Sequence, residues 1–268
     1  MKIFAKICAL VVSYLSLAVW GVFLILPPAG ASEAKGDIPV LIVPHHLVAD
    51  RQIQGGFAAI ASMRKNNPPK RIILLGPNHY FRGKADVITA RHNWNTNDGD
   101  IIADTAFIDF MVKKNFASLE DGVAEGDHSI TALLPFIERY FPDAALVPLI
   151  MREPMLRKNT EKLAQFFNEQ LGPETLLIVS ADFSHYFPKE IAEAHDKESL
   201  AALQTLDMDF IEKRMDIDAR QILMVVADYL KLKGGAKFTM LFHTNSADLT
   251  ANPYEKSTTS HFVGFYEL

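Results

Sequence analysis

RIILLGPNH, residues 71–79, is the stretch of the chain that decides the fold. Residues 71–75 form a largely apolar run without polar alternation, which is typical of a strand buried on both faces of a parallel sheet. The Gly-Pro-Asn turn after this run would hold the imidazole of His79 where the strand ends. Because the carboxyl ends of parallel strands meet at one crevice, His79 is in a position that suits a functional side chain.

Similar apolar, β-branched runs recur along the chain and alternate with amphipathic stretches. Strands are expected at residues 39–43, 71–75, 86–90, 145–150, 176–180, 238–243 and 262–266, and helices at 52–65, 101–114, 129–139, 156–170, 188–206 and 220–231. This alternation predicts an α/β fold with a central, mostly parallel sheet flanked by helices.

The length of 268 residues and the hydrophobic content of 49% are enough for one α/β domain, which we place at residues 38–268. The formal net charge is -5, and the chain has no long run of Lys and Arg. A nucleic-acid partner is therefore not expected.

The N-terminal segment has the pattern of a targeting sequence. Lys2 and Lys6 precede an apolar stretch at residues 7–26, and Ala29-Gly30-Ala31 resembles a cleavage site. Residues 1–31 are therefore interpreted as a signal peptide or an N-terminal membrane anchor, and residues 32–37 as a linker. Both alternatives predict an extracytoplasmic domain, which is either periplasmic or secreted or is attached to the membrane through residues 7–26.

The single cysteine, Cys8, lies inside this N-terminal segment. A metal in the domain would therefore have to bind through His, Asp, Glu or other oxygen donors. This excludes iron–sulfur clusters and zinc fingers, and it leaves the donors that iron, copper, manganese and zinc use.

Histidines follow the first two expected strands. We expect neighbouring strands to bring the rings of His45 and His79 together, whereas the alternative is two unrelated loop histidines. The side chains of His45 and His46 should diverge, so that only one of them faces a metal.

Two further turns carry acid–base groups. Asp182 and His185 follow the strand at 176–180, where the carboxylate can orient the imidazole, although Asp182 can instead cap a turn. His128 lies on the first turn of a helix and can donate to a substrate oxygen, although its neighbours Asp127 and Ser129 can be simple helix caps.

Two aspartates and four histidines remain. Asp216 and Asp218 precede the helix at 220–231, and taken alone they are interpreted as helix caps. Surface or structural roles are expected for the remaining histidines, His92, His195, His243 and His261.

Taken together, the ordered motifs resemble the MEMO-like family, which in prokaryotes is also called AmmeMemoRadiSam system protein B. The resemblance covers about residues 38–268. It rests on Pro44-His45, Leu75-Gly76-Pro77-Asn78-His79, Asp127-His128-Ser129-Ile130, Leu134-Pro135-Phe136, Val147-Pro148-Leu149, Val179-Ser180-Ala181-Asp182-Phe183-Ser184-His185 and Gly264-Phe265-Tyr266.

The resemblance implies a fold similar to the class III, LigB-like extradiol dioxygenases, with a mononuclear metal pocket at the strand ends. The ligands of the family are two histidines, which match His45 and His79, and a late cysteine that is absent here. Asp218 aligns best with that cysteine, and Asp216 is the alternative. The family's other polar residues near the metal match His128, Asp182 and His185.

Two histidines with Asp218 would form a 2-His-1-carboxylate set, which suits Fe(II), with copper and zinc as alternatives. The expected function is a metal-dependent redox enzyme, such as a dioxygenase, acting on a small molecule. The alternatives are non-catalytic metal handling and binding of a ligand or peptide, and the loss of the cysteine could also have abolished the site. The name of the family suggests a radical-SAM partner, but an extracytoplasmic domain would be separated from a cytosolic partner.

Overall fold

The computed structural model describes residues 37–252 and 254–268, and within them strands and helices alternate. The strands are β1 Val40–Val43, β2 Arg71–Pro77, β3 Val87–Thr89, β4 Trp94–Asn95, β5 Asp100–Ile101, β6 Ser118–Leu119, β7 Ala145–Met151, β8 Thr175–Ser180, β9 Phe183–Phe187, β10 Lys237–Asn245 and β11 Thr258–Glu267. The helices are α1 Asp50–Met63, α2 Thr105–Lys113, α3 Asp121–Glu125, α4 His128–Thr131, α5 Leu134–Tyr140, α6 Arg157–Gln170, α7 Lys189–Thr205, α8 Met208–Lys213, α9 Arg220–Leu232 and α10 Ser246–Leu249.

One sheet has the strand order β10-β11-β1-β8-β2-β7-β3-β6, and β9 is paired to β11. The central strands β1, β8, β2 and β7 run parallel to one another. Towards the edges, β11 is antiparallel to β1, and β3 is antiparallel to β7. The expected α/β fold, with a mostly parallel sheet flanked by helices, is confirmed.

Alternate residues of the central strands enter two separate apolar cores. Val40 and Ile42 pack on the side of α6 and α9, whereas Leu41 and Val43 pack on the side of α1 and α5. Full burial of each such side chain contributes roughly 1.5–3 kcal/mol. The parallel strands are therefore held rigidly between two helical layers, and their carboxyl ends can position polar groups.

The strands that precede His45 and His79 are not neighbours, contrary to our expectation. β8 lies between β1 and β2, with Val43 opposite Ser180 and Leu75 opposite Val179. A local apolar pattern identifies strands but does not specify which of them pair. As a consequence, the segment after β8 emerges between the two histidines.

Two of the expected helices have different bounds in the structure. Residues 129–139 form two short helices, α4 and α5, and Pro135 lies in the first turn of α5, where its missing N–H is tolerated. The helix expected at 101–114 begins at Thr105, because Asp104 caps it by accepting a hydrogen bond from the N–H of Phe107. The remaining expected strands and helices are confirmed, with their ends shifted by a few residues.

The predicted signal peptide or anchor at residues 1–31 lies outside the described residues and stays a prediction, as does the extracytoplasmic location. Within residues 37–252 and 254–268, no helix combines the length and the apolar character needed to cross a bilayer.

Candidate metal centre

Three polar side chains converge where the parallel strands end. His45 follows β1, His79 follows β2, and Asp182 follows β8 between them. The ring centroids of the two histidines are 4.9 Å apart, and the ring planes are nearly perpendicular at 82°. The two histidines are therefore close together, as expected. Because β8 lies between β1 and β2, the loops that carry them approach each other across the end of β8.

Asp218 reaches the same place from the segment before α9. Its backbone N–H donates to the carbonyl of Asp182 at 3.2 Å, and its Oδ1 atom accepts from the N–H of Asp182 at 3.0 Å. The other carboxylate oxygen, Oδ2, lies 3.1 Å from Nε2 of His45 and 3.4 Å from Nε2 of His79. The two hydrogen bonds with the backbone of Asp182 thus hold Oδ1 of Asp218 in place and direct Oδ2 at both imidazoles.

The alternative ligand, Asp216, faces a different set of groups. Its Oδ2 atom accepts a hydrogen bond from Ser184 Oγ at 2.9 Å and lies 3.2 Å from Nδ1 of His195. Helix α9 is preceded by Ala219, which provides no side-chain cap. The interpretation of these aspartates as caps of α9 is therefore wrong, and Asp218 is the one that faces the two histidines.

Hydrogen bonds on the far side of each imidazole fix which nitrogen faces Asp218. The Ser180 hydroxyl donates to the carbonyl of Ser129 at 2.6 Å, so it accepts from Nδ1 of His45, 3.0 Å away. Nδ1 of His79 lies 2.8 Å from Oδ1 of Asp127 and donates to it. In the neutral form of each ring, the Nε2 lone pair therefore points at the shared Asp218 oxygen, as in histidines that bind metals.

Asp127 is both a helix cap and a partner of His79. Its Oδ1 atom accepts from the N–H of Ser129 at 3.0 Å and caps α4, and its Oδ2 atom accepts from the N–H of His79 at 2.9 Å. The side chain is almost fully buried. The carboxylate therefore fixes both the backbone and the ring of His79.

The opposite charges of the imidazoles and of Asp218 shift their pKa values so that both kinds of group favour their charged forms. Burial alone would lower the pKa of His79, but the hydrogen bonds and charges of Asp127 and Asp218 outweigh burial and raise it to about 9. Burial is outweighed in the same way at His45, whose pKa is raised by Asp182 and Asp218. Burial would raise the pKa of Asp218, yet His45 and His79 hold it below its usual range. Metal-free, the cluster therefore favours imidazolium–carboxylate pairs.

The pKa of Asp182 is shifted in the opposite direction from that of Asp218. It is 4% exposed, and its Oδ2 atom lies 3.5 Å from Nε2 of His45. Burial raises its pKa, although the charge of His45 acts against this shift. Within residues 37–252 and 254–268 it forms no hydrogen bond or ion pair with His185, which lies on β9 opposite Thr259. The expected orientation of His185 by Asp182 is therefore not observed.

His128 lies at the opening of the cluster. Its ring stacks on that of His79 at a centroid distance of 4.1 Å and meets the ring of His45 edge-on at 5.1 Å. Half of its side chain is exposed, and burial together with the charge of His79 lowers its pKa. His128 is thus a neutral imidazole near pH 7 with access to solvent.

A sequence profile of the family described as "Memo-like protein" matches residues 23–263. The chain belongs to the Memo-like family. Curated relatives include a "MEMO1 family protein" from Caldivirga maquilingensis, which is 26% identical over 81% of this chain and 79% of its own length. Another, from Desulfurococcus amylolyticus, is 27% identical over 89% of this chain and 87% of its own length.

The fold of this Memo-like chain also resembles a solved structure. An uncharacterized protein from Escherichia coli K12 superposes with a TM-score of 0.54, covering 84% of this chain and 99% of that one. The two sequences are 13% identical, so the likeness shows the fold alone.

Among the described residues of this Memo-like protein, three groups of side chains can each offer ligand atoms within 4.8 Å of one another. These groups are His45, His79 and His128; His45, Asp182 and Asp218; and His46, Asp182 and His261. The donors are nitrogen and oxygen, which suit divalent first-row transition metals.

Sequence reasoning missed several members of this Memo-like site. Ser180 lies inside a recognised motif, but its role depends on β8 standing beside β1. His261 was expected to be structural, and its proximity to His46 follows only from sheet pairing. Burial and the charge of His46 lower the pKa of His261 to about 3, so its ring is neutral.

Proposed function

We propose that this Memo-like protein binds one divalent metal ion, with iron(II) the preferred ion, through His45, His79 and Asp218, and that it uses the ion for redox chemistry on a small molecule. Two imidazoles and one carboxylate are a ligand set that leaves coordination positions open. When bound, such an ion supplies redox chemistry and a place for oxygen and substrate.

The observation that carries the proposal is the shared orientation of three ligand atoms. Nε2 of His45 and Nε2 of His79 lie 3.1 Å and 3.4 Å from the same Asp218 oxygen. Atoms bound about 2.0–2.1 Å from one ion at angles of 90–110° are separated by about 2.9–3.4 Å. Each imidazole nitrogen therefore lies at a distance from the Asp218 oxygen that fits a shared ion, and hydrogen bonds to Ser180 and Asp127 already hold both rings in place.

The residues around these ligands are suited to moving protons. His128 is neutral and half-exposed, so a ring nitrogen can donate to or accept from a substrate oxygen entering from solvent. Asp182 is buried beside His45, and burial raises the pKa of its carboxyl group. We assign His128, Asp182 and His185 to proton transfer, with His128 nearest to solvent.

Metal content of the full-length protein tests the ligand set. The protein is freed of metal, loaded with Fe(II) without oxygen, passed through a desalting column and analysed for iron. We expect near-stoichiometric iron in the wild type and large losses in His45→Ala, His79→Ala and Asp218→Ala. Asp216→Ala is the matched control, because Asp216 faces His195 instead, and it should keep its iron. Unchanged iron in all three ligand variants would refute the proposal.

Oxygen uptake separates redox catalysis from metal handling. The iron-loaded protein is supplied with catechols, and oxygen consumption is followed with an electrode. Consumption that disappears in His79→Ala and slows in His128→Gln supports an oxidoreductase. Stoichiometric iron without uptake for any catechol would contradict the catechol dioxygenase assignment and favour metal handling.

A further inference from the structure

We propose that a second divalent transition-metal ion binds beside the first, held by Asp182, His46 and His261. This second site goes beyond the proposed function and uses two histidines that have no part in it. Its ligand atoms come from three elements: the loop after β1, the loop after β8 and the strand β11.

Sheet pairing brings these three residues together. In the β9–β11 pair, Phe183 lies opposite Ser260, which places Asp182 beside His261. Strand β11 is antiparallel to β1, so the beginning of β11 lies beside the end of β1 and the loop that carries His46. The backbone of the central sheet therefore places the two buried ligands, Asp182 and His261, and brings the loop of the exposed His46 beside them.

The distance between the two imidazoles suits a shared cation. Nδ1 of His46 and Nε2 of His261 are 3.2 Å apart. Two nitrogens bound about 2.0–2.1 Å from one ion at near-tetrahedral angles are separated by about 3.3 Å. Asp182 completes the set, because its carboxylate and both rings offer ligand atoms that lie within 4.8 Å of one another.

Two buried polar atoms of the cluster have no hydrogen-bond partner among the described residues. They are Oδ1 of Asp182 and Nδ1 of His261, in side chains that are 4% and 1% exposed. Buried polar atoms are rarely left unsatisfied, and each costs about 1–3 kcal/mol. A cation bound by Asp182 would satisfy the first of these atoms. His46 is exposed, so the cluster is open to an ion from solvent.

Asp182 lies between the two groups of ligands. Its Oδ2 atom faces Nε2 of His45 at 3.5 Å, while its Oδ1 atom accepts no hydrogen bond from any residue that the structure describes. One carboxylate can therefore contact both ions, one through each oxygen. Two ions held in this way would favour a substrate with two neighbouring oxygen donors, since each ion can hold one of them.

Zinc stoichiometry tests the second site. Metal-free, full-length protein is dialysed against Zn²⁺, and bound zinc is counted by elemental analysis. We expect two equivalents in the wild type and one in the double variant His46→Asn/His261→Gln. Asp182→Asn should also lose the second equivalent. Circular dichroism of the metal-free variants checks that each is folded.

A half-buried histidine outside the cluster supplies the matched control. His92 lies 3.3 Å from Asp121 and 3.2 Å from Glu125, so it is a histidine with two carboxylates far along the chain from the cluster. His92→Gln should keep both equivalents. A wild type that binds one equivalent, or a second equivalent lost with His92 instead of His46 and His261, would overturn the second site.

The ligand variants distinguish failure of the second site from failure of the proposed function. His79→Ala should lose the first equivalent and keep the second, because His79 is not part of the second cluster. If zinc is lost only in the His46 and His261 variant, the second site stands and the proposed ligand set fails. If it is lost only in His45→Ala and His79→Ala, the proposed set stands and the second site fails.

Discussion

Nδ1 of His79 lies 2.8 Å from Oδ1 of Asp127, and the same carboxylate caps helix α4, which begins at His128. One side chain thus joins the end of a β-strand to the start of a helix and orients an imidazole between them. Partners of this kind fix the tautomer and direction of a metal-binding histidine.

Replacing Asp127 by Asn tests the importance of this charge for metal binding. Asn still caps a helix well, but it removes the negative charge from His79. We expect the affinity for Fe(II) or Zn²⁺ to fall by about 10- to 100-fold, as measured by competition with a chelator. Asp207→Asn is the control, because Asp207 caps α8 by accepting from the N–H of Phe210. Equal affinities in the two variants would argue against an orienting role.

Replacing Asp218 by Cys restores the residue type of the family at the position that the resemblance assigns to it. The Oδ2 atom of Asp218 faces both histidines, so a thiolate there should join them around the ion. With Co²⁺, we expect an intense thiolate-to-metal absorption band in the near ultraviolet. Asp216→Cys should give none, because that side chain faces Ser184. A band in the second variant alone would reverse the assignment.

The stability of the metal-free protein should depend on pH through His79. Its pKa is raised from 6.5 to about 9 in the folded state. The group binds its proton more tightly when folded, so its contribution is fully present below pH 6.5 and is lost as the pH rises through about 9. Chemical unfolding with EDTA present measures this contribution as the difference between the wild type and His79→Gln. That difference should be roughly 1.5–3 kcal/mol at about pH 6 and much smaller at about pH 10. A difference that grows with pH would contradict this account.

Gly76 allows helix α4 to approach the end of β2. A Cβ atom at this position would lie 2.8 Å from Cβ of Ser129, whose hydroxyl donates to the carbonyl of Pro77. Gly76→Ala should therefore destabilise the fold by about 1–3 kcal/mol and weaken metal binding, because His79 lies in the turn that follows Gly76. Gly122→Ala is the control, since a Cβ added there would have no neighbouring side chain within 4 Å among the described residues, and the substitution should be neutral or slightly stabilising. Thermal unfolding compares the two variants, and equal unfolding midpoints would show that α4 and β2 are not closely packed at Gly76.

Much of the fold was predictable from local patterns. The apolar runs of β1, β2, β7 and β8 show no polar alternation because both faces of these strands are buried, so they stand out in the sequence. Short elements were missed, such as β6 and α8, because a strand of two residues or a helix of six carries too little periodicity.

The site was predictable in its members but less so in their relationships. His45 and His79 were identified from their positions after strands, Asp218 was implied only by the resemblance to the family, and the structure brings the three together. Their partners Asp127 and Ser180 were not assigned, because a hydrogen bond between residues 48 or 135 positions apart leaves no local signal.

The sequence by itself determined the α/β class, the positions of the main strands and the histidines that follow them, since burial and turn chemistry act over neighbouring residues. Only the tertiary structure decided that β8 lies between β1 and β2, that Asp218 and not Asp216 faces the histidines, and that His46 meets His261. These relationships depend on which strands pair and in which register, and that choice is made by packing across the whole sheet.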